Sequence, residues 1–162
     1  MTQRLKPEIT GRITRPMPAI ETNAAPHPTT ITYFVSAHGF GHAARAAAVM
    51  AAVQRRAPAT QFRIFTRVPA WFFSDSLTGP HTCHPVDTDV GLVQRSPLEE
   101  DLPQTLARLD GRFPIRQEAL AAVCRRVAAL NCRLVICDIA AMGIAAAEAL
   151  GLPSILDAGY PP

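Results

Sequence analysis

At 162 residues the chain is long enough for one domain with a real hydrophobic core, without disulfide or metal staples. Sixteen Lys and Arg against thirteen Asp and Glu leave a formal charge of only +3, and the basic residues are scattered. Arg55-Arg56 and Arg125-Arg126 are the only adjacent pairs, and the few aromatics are not interleaved with them, so no nucleic-acid surface is expected.

No stretch approaches the about 20 apolar residues that cross a bilayer, so no integral membrane segment is expected. Cys83, Cys124, Cys132 and Cys137 show no C-x-x-C spacing, and no secretory h-region precedes a small-residue cleavage site. Free thiols and a cytoplasmic protein follow as the expectation.

Residues 1–30 carry Pro7, Pro16, Pro18, Pro26 and Pro28 among polar residues without periodicity, and read as a disordered tail. From Ile31 the pattern changes. "ITYFVSA" is β-branched and aromatic and reads as a strand buried on both faces, followed by a helix from Ala43 to about Arg56. "QFRIFTR" reads as a second strand, "VPAWFFSDSLTG" as a turn or short helix, and "HTCHPVD" as a weaker strand broken by Pro85.

The polar connection containing "SPLEEDLPQTLARL" predicts a loop and a short helix, with Leu98–Asp101 as an acidic helix start that carries no chemistry. Pro114 suits the first turn of a longer helix whose buried stripe is Ile115, Ala119, Val123, Val127 and Leu130, with Arg116, Gln117, Arg125 and Arg126 opposite. "RLVICDI" is the clearest strand and ends at Asp138. "AAMGIAAAEALGLPSI" then predicts a helix stopped by Gly151, with Pro153 beyond and a last strand at Ser154–Leu156. Hydrophobic strands alternating with helices predict an α/β, Rossmann-like doubly wound parallel sheet.

In such a sheet the loops past the carboxyl ends of the strands build the ligand site, which places the turn after the first strand and Asp138 on one rim. The turn is "HGFGHAAR". Gly39 and Gly41 allow a tight backbone that approaches a ligand closely. His42 falls at or near the first helical position, where the helix N-terminus favours a neutral ring able to accept a proton. A carboxylate at Asp138 would fix its tautomer and stabilise the imidazolium as it forms, the constitution of a general-base dyad. A merely structural capping role for His42 is the plainer alternative. Arg45, one turn into the helix, would reach an anionic ligand or a loop carboxylate, or pack its stem on the sheet edge.

His38 and His42 are four apart, but the glycines between them argue against a continuous helix and a metal pair. His81 and His84 point to opposite faces of a strand, so solvated or hydrogen-bonded histidines, and no metal, are expected. "GFGHAA" also fits the loosened dinucleotide fingerprint G-x-G-x-x-A. Arg67 stands where the acidic ribose partner would be and suits a 2′-phosphate, so a non-catalytic nucleotide or NADP-binding module is the alternative reading. Asp87 and Asp89 sit on the same rim, within reach of sugar hydroxyls but more simply solvated. Trp71, Phe72 and Phe73 suit core burial better than an acceptor groove.

The first strand, "HGFGHAAR", the polar insert and "LVICDIAAMGIAAAEALGLPSI" together resemble the N-terminal half of a two-Rossmann-domain (GT-B) glycosyltransferase. The nearest likeness is to the glycosyltransferase-like N-terminal region of plant arabinose kinase and its bacterial relatives. The resemblance implies that Gly41-His42 and Asp138 are the catalytic pair and its supporting aspartate. It implies a nucleotide-sugar donor and a hydroxyl acceptor, touched by His38, Gly39, Phe40, Gly41 and Arg45, in a reaction needing no metal or other cofactor. It further implies that residues 31–162 form the acceptor-side domain, incomplete at its C-terminus. The donor-binding half is then a missing continuation or a separate polypeptide, and the chain is inactive without it.

Overall fold

A computed structural model describes residues 28–157; the expected tail, through residue 27, and residues 158–162 lie outside the described residues. In chain order the elements are β1 (Thr30–Val35), α1 (Phe40–Arg56), β2 (Gln61–Thr66), α2 (Ala70–Ser76), β3 (His81–Pro85), β4 (Gln94–Ser96), β5 (Glu99–Glu100), α3 (Leu102–Arg112), α4 (Gln117–Ala128), β6 (Leu134–Asp138), α5 (Ala141–Ala149) and β7 (Ser154–Leu156). Five strands form one sheet in the order β3-β2-β1-β6-β7, every pair parallel. The expected α/β, Rossmann-like architecture is the one observed.

Strand β1 is the centre of this sheet, and all six of its residues are buried. Its alternation sends Tyr33 and Val35 into a core with Ala46, Met50, Phe62, Ile64 and Phe73 on the α1 side. Phe34 goes to the opposite core, with Phe65, Val123, Val127, Val135 and Ala146. Each fully buried Phe contributes roughly 1.5–3 kcal/mol. The chain winds outward from β1 to β3 and then returns to place β6 on the other side of β1. The strand order therefore reverses between β1 and β6, and the loops after those two strands flank the reversal.

The helix after β1 begins at Phe40 rather than Ala43, which puts His42 at its third position. Gly39 makes the earlier start possible, because its φ of 79° reverses the chain at the helix entrance and no side chain caps it. Leu98–Asp101 does not open a helix: Glu99–Glu100 pairs with β4 in an antiparallel hairpin, and only Asp101 caps α3, accepting from the Gln104 N–H. Pro114 precedes α4, which starts at Gln117 after an extended Arg116. Val123 and Val127 are buried as expected, but Arg126 does not face solvent alone; its guanidinium lies 5.1 Å over the Phe65 ring and donates to the Pro85 carbonyl. Gly151, at φ 62°, ends α5 as expected, with Leu152 and Gly151 N–H groups returning to the Ala147 and Glu148 carbonyls.

Close packing of α5 on the sheet depends on Gly143, where a Cβ would meet Phe34 Cγ at 2.6 Å and Cys137 Sγ at 2.7 Å. Gly143→Ala is expected to cost about 1–3 kcal/mol, read by urea unfolding.

On β3, His84 stacks on Phe65 at 4.8 Å; burial, then the charges of Arg126 and Arg63, push its pKa down. A histidine whose folded pKa is depressed contributes stability that is present above its ordinary value and lost as pH falls through the lowered one. The melting temperature should therefore fall less in His84→Gln than in the wild type between about pH 7.5 and 5.

Candidate functional site

The ends of β1 and β6 meet in register, with Val35 opposite Asp138. Asp138 is fully buried there, so its carboxylate must find partners within the fold. Both come from α1. His42 and Arg45 are three apart, on one face of that helix. His42 Nδ1 lies 2.9 Å from Asp138 Oδ2, within reach of a hydrogen bond that the ring as placed does not make. Arg45 donates to Asp138 Oδ1.

The network continues to Asp157, just past β7, whose Oδ2 is 3.4 Å from Arg45 Nε and accepts the Tyr33 hydroxyl at 3.0 Å. Burial works against the charged form of Arg45, and the Asp138 hydrogen bond and the two carboxylate charges more than offset it. Burial, with the Asp157 charge and hydrogen bond, pushes the Tyr33 pKa well up, so its hydroxyl stays a donor. Asp157 and Tyr33 were not singled out from the sequence. The rim rule that found Asp138 applies equally to an aspartate ending the next parallel strand, and that was the available signal.

With Nδ1 beside Asp138, the His42 side chain is 28% exposed and helps to line an open cleft of about 900 Å³. His38 and Gly39 share that wall; Asp89, Leu109 of α3 and Ile139 close the others. The loop bearing Asp89 is tied to the sheet by Thr88, whose hydroxyl is 3.1 Å from both the Val35 carbonyl and Asp89 Oδ1. His38 Nε2 is 3.5 Å from Asp89 Oδ1. Ile139, directly after Asp138, holds a φ of 49°, a strained conformation for a β-branched residue.

Of the remaining sequence candidates, Phe40 and Gly41 are exposed but lie outside the cleft lining. Phe40 stacks on Phe72 at 5.2 Å, 6.0 Å from Trp71. The three consecutive aromatics divide: Phe73 is core, and Trp71 is 57% exposed. Arg67 is exposed but engaged: Asp87 takes its Nε at 2.9 Å and its Nη2 at 3.2 Å, and that hydrogen bond holds the Asp87 carboxyl below the usual range. His81 bonds the Gly79 carbonyl and His84 the Thr82 hydroxyl. The four cysteines are free thiols, and burial pushes that of Cys137 up to about 12. Among the described residues, no helix is long and apolar enough to cross a membrane, and no three His, Cys, Asp or Glu side chains are placed to hold a metal ion.

No family model and no curated protein matches the chain. Solved structures do. A UGT transferase from Siraitia grosvenorii in complex with UDP is 17% identical, with a TM-score of 0.52 over 79% of this chain and 27% of its own. A UDP-glucose:anthocyanidin 3-O-glucosyltransferase in complex with UDP is 12% identical, with a TM-score of 0.50 over 80% of this chain and 29% of its own. The chain thus spans less than a third of either transferase, and at such identities the likeness establishes a shared Rossmann-like fold.

Removing Arg45 would leave Asp138 buried with only His42 beside it. Arg45→Met is expected to destabilise by about 3 kcal/mol, and adding Asp138→Asn should restore part of the loss, a coupling read by a double-mutant cycle in chemical denaturation.

Proposed function

We propose that the chain is the acceptor-side domain of a GT-B glycosyltransferase, moving a sugar from a nucleotide-diphosphate sugar to a hydroxyl acceptor. The observation that carries this reading is the His42–Asp138 contact of 2.9 Å at the strand-order reversal, with the carboxylate sealed and the ring on an open cleft. In this reading the acceptor hydroxyl lies in the cleft and gives its proton to His42 as it attacks the anomeric carbon. Asp138 orients the ring and stabilises the imidazolium; Arg45 holds Asp138 in place. The Gly39–Gly41 backbone at the N-terminus of α1 faces the leaving diphosphate, where N–H groups and the helix dipole favour negative charge without a metal.

The fold shared with two transferases solved with UDP supports the class of donor. Because the chain spans less than a third of each, the reading includes a separate or continuing donor-binding domain, without which the chain is silent. Within the class, the His-Gly-Phe-Gly-His turn favours relatives of the glycosyltransferase-like region of arabinose kinase. Asp87 competes with a 2′-phosphate for Arg67, which weighs against the alternative NADP-binding reading, while the G-x-G-x-x-A fingerprint remains in its favour.

Combined with its donor-binding domain and assayed below its lowered melting temperature, the His42→Ala chain should lose transfer by about 100- to 10,000-fold in kcat, with KM little changed. Full transfer by this variant would refute the base assignment.

A further inference from the structure

A second pocket, of about 360 Å³, borders the cleft and shares His38, Asp89 and Gly91 with it. Arg108, Arg112 and Arg116 line it. The first two stand four apart on α3, and the third joins them where the chain turns into α4. Two carboxylates also border this pocket, but Asp87 already receives both arms of Arg67. Asp89 faces His38. Arg112 is anchored by donating to the Asp87 main-chain carbonyl, and among the described residues neither Arg108 nor Arg116 meets a carboxylate. Three arginines, two of them exposed, therefore line one space with a single carboxylate not already matched by an arginine. Guanidinium forks are suited to oxyanions, which they bind through paired hydrogen bonds.

We infer that this pocket binds the oxyanion, phosphate or carboxylate, of a ligand whose neutral part extends into the cleft beside His42. His38 stands at the junction of the two spaces, its ring occupying the room that the absent side chain of Gly91 leaves; a Cβ there would lie 2.0 Å from His38 Cγ. The inference rests on the proposed transfer only in naming this ligand the acceptor, which is then an anionic hydroxyl compound such as a sugar phosphate or a sugar acid.

Calorimetric titration of the whole chain with glucose 6-phosphate, glucuronate and glucose, at an ionic strength of about 0.15 M, tests it without any transfer assay. One of the two anionic sugars is expected to bind and glucose not; the phosphate or the carboxylate probe names the oxyanion. R108Q/R116Q, which leaves the Arg112 anchor in place, should weaken that binding about tenfold or more, and R108K/R116K should weaken it less. Absence of binding by both anionic sugars, or equal affinity in the R108Q/R116Q chain, overturns the inference. Because binding alone is read, failure of the His42 base assignment would leave this result standing, and failure here would leave that assignment untouched.

Discussion

A carboxylate withdrawn from water at the end of a parallel strand is a liability of several kcal/mol unless charged or hydrogen-bonding groups come to it. Asp138 is such a group, and one turn of α1 supplies both of its partners. The consequence is mechanical as well as electrostatic. His42 and Arg45 pin the start of α1 to β6, so the helix entrance at Gly39 is fixed relative to a strand it does not follow in the chain. Asp157 and Tyr33 extend the same network across the sheet, which makes the rim above β1, β6 and β7 a single polar layer over two apolar cores.

Around that layer the chain places its irregular segments. Thr88 ties the loop after β3 to the end of β1, and Asp101 caps α3 so that Thr105 and Leu109 face the cleft. The strained backbone of Ile139 follows the buried carboxylate directly, where β6 turns into α5 within two residues. Backbone strain of this kind persists where the surroundings over-determine it, and the residues that follow pack tightly, with Ala140 buried and Gly143 against Phe34 and Cys137.

The sheet was legible because its strands are nearly continuous runs of β-branched and aromatic residues, and because the topology of alternating elements leaves few arrangements open. That topology also brought His42 and Asp138 together on paper, despite their separation in the chain. What escaped was set by contacts between distant segments. Gly39 starts α1 without a polar cap, a role no residue type announces; Glu99–Glu100 joins a hairpin although glutamate favours helix; Arg126 covers an aromatic ring instead of solvent. Gly91 reads as an ordinary loop glycine until the His38 ring is seen against it.

Strand β7 closes one side of the sheet with all three residues exposed, and Ile155 and Leu156 are each more than half open to water. Among the described residues its outer edge pairs with nothing. An apolar margin with free backbone donors and acceptors is a template for any extended peptide, including another molecule's margin.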